Sequence, residues 1–183
     1  MSDQYLFFCT NLGNENLLKE EVRVFLPELS LSYSRKGFIT FKNKGIRYDF
    51  NTISQLEVAF ATRAGICLGK SHPDNLKSEL TKLCEHNDIE LSRCVVHNFS
   101  INSDFHLDSH DLTQGQDDEF SPINKPVINL ITLSSKEVWI GFHKVGKNTT
   151  NYPNSNSGIL LPEKSPSRAY LKIAEAIKTF GSI

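Results

Sequence analysis

The chain has 183 residues, of which 39% are hydrophobic and 22% charged, and a formal net charge of −1. This is an ordinary globular composition, long enough for one or two domains with a real core, and its near-neutral charge argues against a simple basic nucleic-acid-binding domain. No apolar run approaches the roughly twenty residues that span a bilayer, and the opening MSDQYLFFCT lacks the basic start of a signal peptide.

The first elements follow from periodicity. Tyr5–Thr10 is an apolar run suited to a buried strand, and residues 11–14 form a turn. Glu15–Phe25 has helical period, with Leu17, Leu18, Val22 and Phe25 on one face, Asn14 placed as N-cap and Pro27 just past the end. Leu29–Tyr33 and Gly37–Phe41 alternate as two strands around a basic turn that contains Arg35 and Lys36. A second helix is expected over Arg47–Ala59, capped by Asn51 or Thr52, and a strand over Phe60–Lys70. Strand, helix, strand, strand, helix, strand is the order of a ferredoxin-like unit.

The pattern then begins again. Pro73–Asn87 reads as a helix with Leu76, Leu80, Leu83 and Cys84 on its apolar side, and Ser92–Asn102 as a strand. Residues 104–121 hold six acids and no Lys or Arg, and their polarity and length predict a loop. His106 and His110, with Asp104, Asp108 and Asp111, lack the further Cys or His of a structural metal set, so no metal is expected. Val127–Leu133 and Glu137–Lys144 form a hairpin around residues 134–136, and Thr149–Gly158 is a polar linker. The fold class expected is therefore α+β: two tandem α/β units (1–70 and 71–148), a linker (149–164) and a helix (165–183).

Charge is unevenly placed. From Ser134 onward seven Lys and Arg face three acids, a net of +4, which leaves −5 for the rest. Such asymmetry suits a nucleic-acid face on one side only. The four cysteines, Cys9, Cys67, Cys84 and Cys94, form no C-x-x-C pair and read as free thiols of a cytoplasmic protein. There is no G-x-S-x-G elbow or other nucleophile signature.

The last stretch, Ser165–Phe180, reads SPSRAYLKIAEAIKTF. Ser167 can cap a helix whose apolar positions include Leu171, Ala174 and Ile177. The string SRAYLKIAEA resembles the S-R-[ASt]-x-x-K-L-x-E-[AI] entry helix of the FtsJ-like ribose 2'-O-methyltransferases. Upstream, NKPVINLITLSSKEVWIGFHKVGKNTTNYPNSN has the order of the bacterial RlmM subfamily: a K/R-P-V strand, a turn, a strand with G-[FY], then an Asn-rich link. That subfamily methylates a cytidine ribose of large-subunit ribosomal RNA and carries a ferredoxin-like piece and a THUMP domain ahead of its catalytic domain.

The resemblance spans residues 124–183 in motif and the earlier chain in architecture only. It implies that Lys172 is the first member of a Lys-Asp-Lys-Glu catalytic tetrad, whose other members would lie beyond Ile183. It implies S-adenosylmethionine as methyl donor, near position 169, where the hydroxyl residue typical of the RlmM type is replaced by Ala169. No Gly-rich donor loop precedes Ile183, so this chain alone is expected to bind the donor weakly or not at all. The residues expected to touch ribosomal RNA are Arg35, Lys36, Lys144, Lys147, Asn148, Tyr152 and Arg168, the cations on phosphates and Tyr152 stacked on a base. The competing reading is a non-catalytic tandem ferredoxin-like module that binds RNA, a small molecule or a protein.

Overall fold

The computed structural model describes residues 3–101, 104–105, 107–108, 121 and 124–146. The described elements are β1 (Gln4–Cys9), α1 (Glu15–Phe25), β2 (Leu29–Arg35), β3 (Phe38–Asn43), α2 (Phe50–Ile53), β4 (Arg63–Ser71), α3 (Leu76–His86), β5 (Val95–Ser100), β6 (Pro126–Ser134) and β7 (Glu137–Lys144). Short 3-10 turns at Pro73–Asn75 and Leu91–Arg93 flank α3. The seven strands form one mixed sheet in the order β2-β3-β1-β4-β7-β6-β5, an α+β arrangement. Every pair is antiparallel except β5 with β6. The two halves of the chain therefore share a single sheet, joined where β4 pairs with β7.

Both longer helices lie on one face. From α1, Leu18 and Val22 are fully buried with Leu6, Phe8, Ile39 and Phe41. From α3, Leu76, Leu80 and Cys84 pack with Val96, Ile128, Leu130, Ile140 and Phe142. Each such side chain contributes about 1.5–3 kcal/mol by leaving water. The buried stripe of α1 is narrower than its sequence suggests: Leu17 is 49% exposed and Phe25 73%. Only the i, i+4 pair Leu18 and Val22 points straight at the sheet.

One local expectation is corrected and another refined. Helix α2 is a single turn, not the run 47–59, and its cap is Asp49, whose carboxylate accepts from the Asn51 and Thr52 amides at 2.9 and 2.7 Å. The helix goes no further because the chain beyond it is pulled toward α1, where Glu21 accepts from the Ala59 and Phe60 amides. Asn14 is the N-cap of α1 as expected, but its side chain makes no cap bond. The neighbouring Glu15 carboxylate takes the amides of Gly13 (3.0 Å) and Gly37 (2.8 Å) instead, tying the start of α1 to the β2–β3 turn. The Glu15 backbone amide first, then those of Gly37 and Gly13, hold its pKa below the usual range against a smaller opposing effect of burial. Gly37 needs its residue type, since its φ is +76°.

The opposite face is concave. Its residues include Phe7, Cys9, Phe38, Phe99, Ile131 and Leu133, with Tyr33, Cys67, Ile101 and Trp139 packed against them. The curl is strong enough to bring the ends of the strand order together. A Cβ on Gly37, in the β2–β3 turn, would lie 2.6 Å from Ile101, just past β5. The Phe7 ring lies so close over Gly65 and Gly141 that a Cβ on either would sit 2.4 or 2.3 Å from it. Glycine is required at both by this close approach. On the helix-bearing side of β5, Asn98 and Ser100 donate to the carbonyls of Leu107 and Phe105.

Candidate nucleic-acid interface

A polar strap crosses the concave face. Arg63 of β4, His97 of β5, Asn129 of β6 and His143 of β7 are all essentially fully buried. Arg63 Nη1 donates to His97 Nδ1 (3.0 Å) and to Asn129 Oδ1 (2.5 Å). Because a guanidinium has only donors, the polarity of the rest follows. His97 carries its proton on Nε2 and gives it to Ser121 Oγ at 3.0 Å. Asn129 turns its NH2 toward His143 Nδ1 at 2.8 Å. The His143 proton then sits on Nε2, which has no partner among the described residues.

Burial, Arg63 and His97 hold the His143 pKa well below its ordinary value. Burial also lowers the Arg63 guanidinium to about 10, still charged at neutral pH. The Phe99 ring lies 4.8 Å from its Cζ. These residues connect four strands, and their enclosure gives them a structural role. Nothing in the local sequence marks them, since a single polar residue in an alternating strand reads as solvent-facing.

The surface chemistry is concentrated at a rim where β2 meets the start of β7 across the concave face: Arg35, beside the Lys36–Gly37 turn, reaches Glu137, beside the Ser135–Lys136 turn, at 3.8 Å. The Glu137 carboxylate also accepts from the Tyr33 hydroxyl (3.0 Å) and from Trp139 Nε1 (3.0 Å). Desolvation, then the hydrogen bond and charge of Glu137, raise the Tyr33 pKa. The Tyr33 and Trp139 rings are 4.9 Å apart, with Phe38 at 5.2 Å from Trp139. Lys70 holds its Nζ 5.8 Å over the indole, within cation–π range. Lys36, Lys70 and Lys136 are exposed and make no ion pair among the described residues.

Of the residues read from the sequence as RNA contacts, Arg35 and Lys36 belong to this rim. Lys144 does not. It ends β7 seven residues from Glu137, roughly 23 Å away at strand spacing, and donates to Asn51 Oδ1 at 3.2 Å. Lys147, Asn148, Tyr152, Arg168, Ala169 and Lys172 lie outside the described residues. So do His106, His110 and Asp111, the linker and the final helix. Tyr33, Lys70 and Trp139 complete the rim but were not singled out by sequence reasoning. The available signal was the chain's one Trp, in a strand beside two basic turns.

Other features offer less chemistry. A groove of about 490 Å³ between α1 and residues 56–59 is edged by Glu21 and Glu57, the wrong sign for a phosphate chain. The four cysteines are free, and burial raises Cys9 and Cys67 to about 12 and Cys84 and Cys94 to about 11. Thiols so shifted are poor nucleophiles. Among the described residues no group of three His, Cys, Asp or Glu could hold a metal ion.

No protein-family model and no curated protein matches this chain. Solved structures do. A possible methylase from Clostridium difficile 630 superposes with a TM-score of 0.50 at 14% identity, over 77% of this chain and 41% of that one. A predicted N6-adenine-specific DNA methylase from Listeria monocytogenes str. 4b F2365 gives 0.51 at 15%, over 78% and 40%. SMU.472, a candidate methyltransferase in complex with SAH, gives 0.50 at 18%, over 78% and 42%. The chain thus spans about two-fifths of the length of these proteins and shares the fold of that part.

Proposed function

We propose that this chain is the RNA-binding part of an S-adenosylmethionine-dependent ribosomal RNA methyltransferase that modifies a ribose 2'-hydroxyl of a large-subunit cytidine. The observation that carries the proposal is the shared fold with about two-fifths of three proteins described as methylases, one of them solved with SAH. The strand order β2-β3-β1-β4 around α1 supports a ferredoxin-like first unit over 1–70. The second unit, 71–148, is read as THUMP-like, followed by the linker and the entry helix of a catalytic domain.

In this reading the chain's own residues bind and orient the RNA. Arg35 and Lys36 meet phosphates at one rim, and Lys144, Lys147, Asn148, Tyr152 and Arg168 are further RNA contacts in this reading. S-adenosylmethionine, when bound, supplies the methyl group. Lys172 would position and polarise the ribose hydroxyl, and any contact at Ala169 would be through its backbone. The protein would act in the cytoplasm.

The test is to titrate the full chain with large-subunit ribosomal RNA across a salt series. The affinity should fall steeply, with a log–log slope set by the number of phosphates neutralised. Binding that is absent, or indifferent to salt, would overturn the proposal. For the catalytic part, Lys172→Ala in a protein that carries the catalytic domain should abolish methyl transfer and leave RNA affinity intact.

A further inference from the structure

The rim around Trp139 has the two components that recognition of a single strand needs. Phosphates require cations spread along a path, and Arg35, Lys36, Lys70 and Lys136 are all exposed there. Bases require an aromatic face held in place. Trp139 has one. Its Nε1 is fixed by Glu137, the same carboxylate fixes the Tyr33 hydroxyl, and Phe38 and Tyr33 pack against the indole. A ring already locked loses little freedom when a ligand stacks on it. Over this ring sits the ammonium of Lys70, an exposed side chain able to swing aside. It marks the negative π-face that an unpaired base could take, and once displaced it would meet the strand's phosphate.

Charge complementarity and the ring together favour a single strand over a duplex, whose bases are stacked on one another and present only edges and backbone. We infer that Trp139 is a stacking platform for an unpaired base of a bound RNA strand, with Arg35, Lys36, Lys70 and Lys136 on the phosphates beside it. This rests on the RNA-binding reading above. It adds that the RNA must present an unwound segment to this rim.

The chain has one Trp, so its emission reports on this site alone. The experiment titrates the full chain with a short single-stranded oligoribonucleotide and with the duplex of the same sequence. Trp emission and a label on the RNA are followed together. The single strand should quench the emission and bind more tightly than the duplex. Trp139→Leu should weaken single-strand binding by about tenfold, the loss of one base–aromatic stack, and leave duplex binding unchanged. Lys70→Glu, an exposed change that leaves the core untouched, should weaken it similarly and serves if Trp139→Leu does not fold. RNA binding with unaltered emission, and with both variants as tight as the native chain, overturns the stacking platform and leaves the RNA-binding reading standing. No binding of either RNA overturns both.

Discussion

One face of the sheet lies under α1 and α3 and is closed mainly by apolar side chains. The concave face buries an arginine, two histidines and an asparagine across four strands. The first face is held by area removed from water and tolerates any close fit of similar volume. The second adds to its own apolar cluster a chain of donors and acceptors that begins at a cation, in which every link depends on the one before it. The polar face thus specifies which strands lie together, while the apolar face supplies most of the free energy.

Substitutions should separate these two kinds of support. The largest loss is expected for Arg63→Met, which strands the acceptors His97 Nδ1 and Asn129 Oδ1 at about 1–3 kcal/mol each; urea unfolding measures it. On the apolar face, Leu80→Ala should cost about 2–5 kcal/mol, and the midpoint should move by a similar amount at pH 5.5 and 7.5, a choice of about one unit either side of an unperturbed histidine. Gly65→Ala should cost about 1–3 kcal/mol by overpacking against Phe7.

The smallest effect sharpens the comparison most. His143 is held neutral when folded, its pKa well below the ordinary 6.5. Above pH 6.5 both states are neutral there and its contribution to stability is fully present. As the pH falls below that value the unfolded chain takes up a proton that the folded chain refuses, so stability declines by at most about 1.4 kcal/mol per pH unit. His143→Gln should flatten this slope, seen by unfolding at a series of pH values. A slope unchanged in the variant would assign the acid sensitivity elsewhere.

What the sequence made legible was local. Helix α1 falls at Glu15–Phe25 as its periodicity predicts, and the β6–β7 hairpin spans nearly the expected residues, because each signal lies within one window. Helix α2 was overextended because the contact that ends it, Glu21 to the amides of Ala59 and Phe60, comes from 38 and 39 residues away. The polar strap was invisible for the same reason: Arg63 meets partners 34 and 66 residues along the chain. At the rim, Arg35 and Lys36 announced themselves as a basic turn. Trp139 joins them through Phe38 and through the Tyr33–Glu137 bond, the latter spanning 104 residues. Lys144 was grouped with them by charge, and the length of β7 separates it.

The pairing of β4 with β7 also orders events during synthesis. Strand β4 is complete once Ser71 has emerged, but its neighbour is not finished until Lys144. In the interval one side of β4 offers a row of bare amides and carbonyls, an adhesive margin that any extended segment could take. The late hairpin is thus the molecule's own latch, and a nascent chain stalled before Pro126 would present that margin to its neighbours.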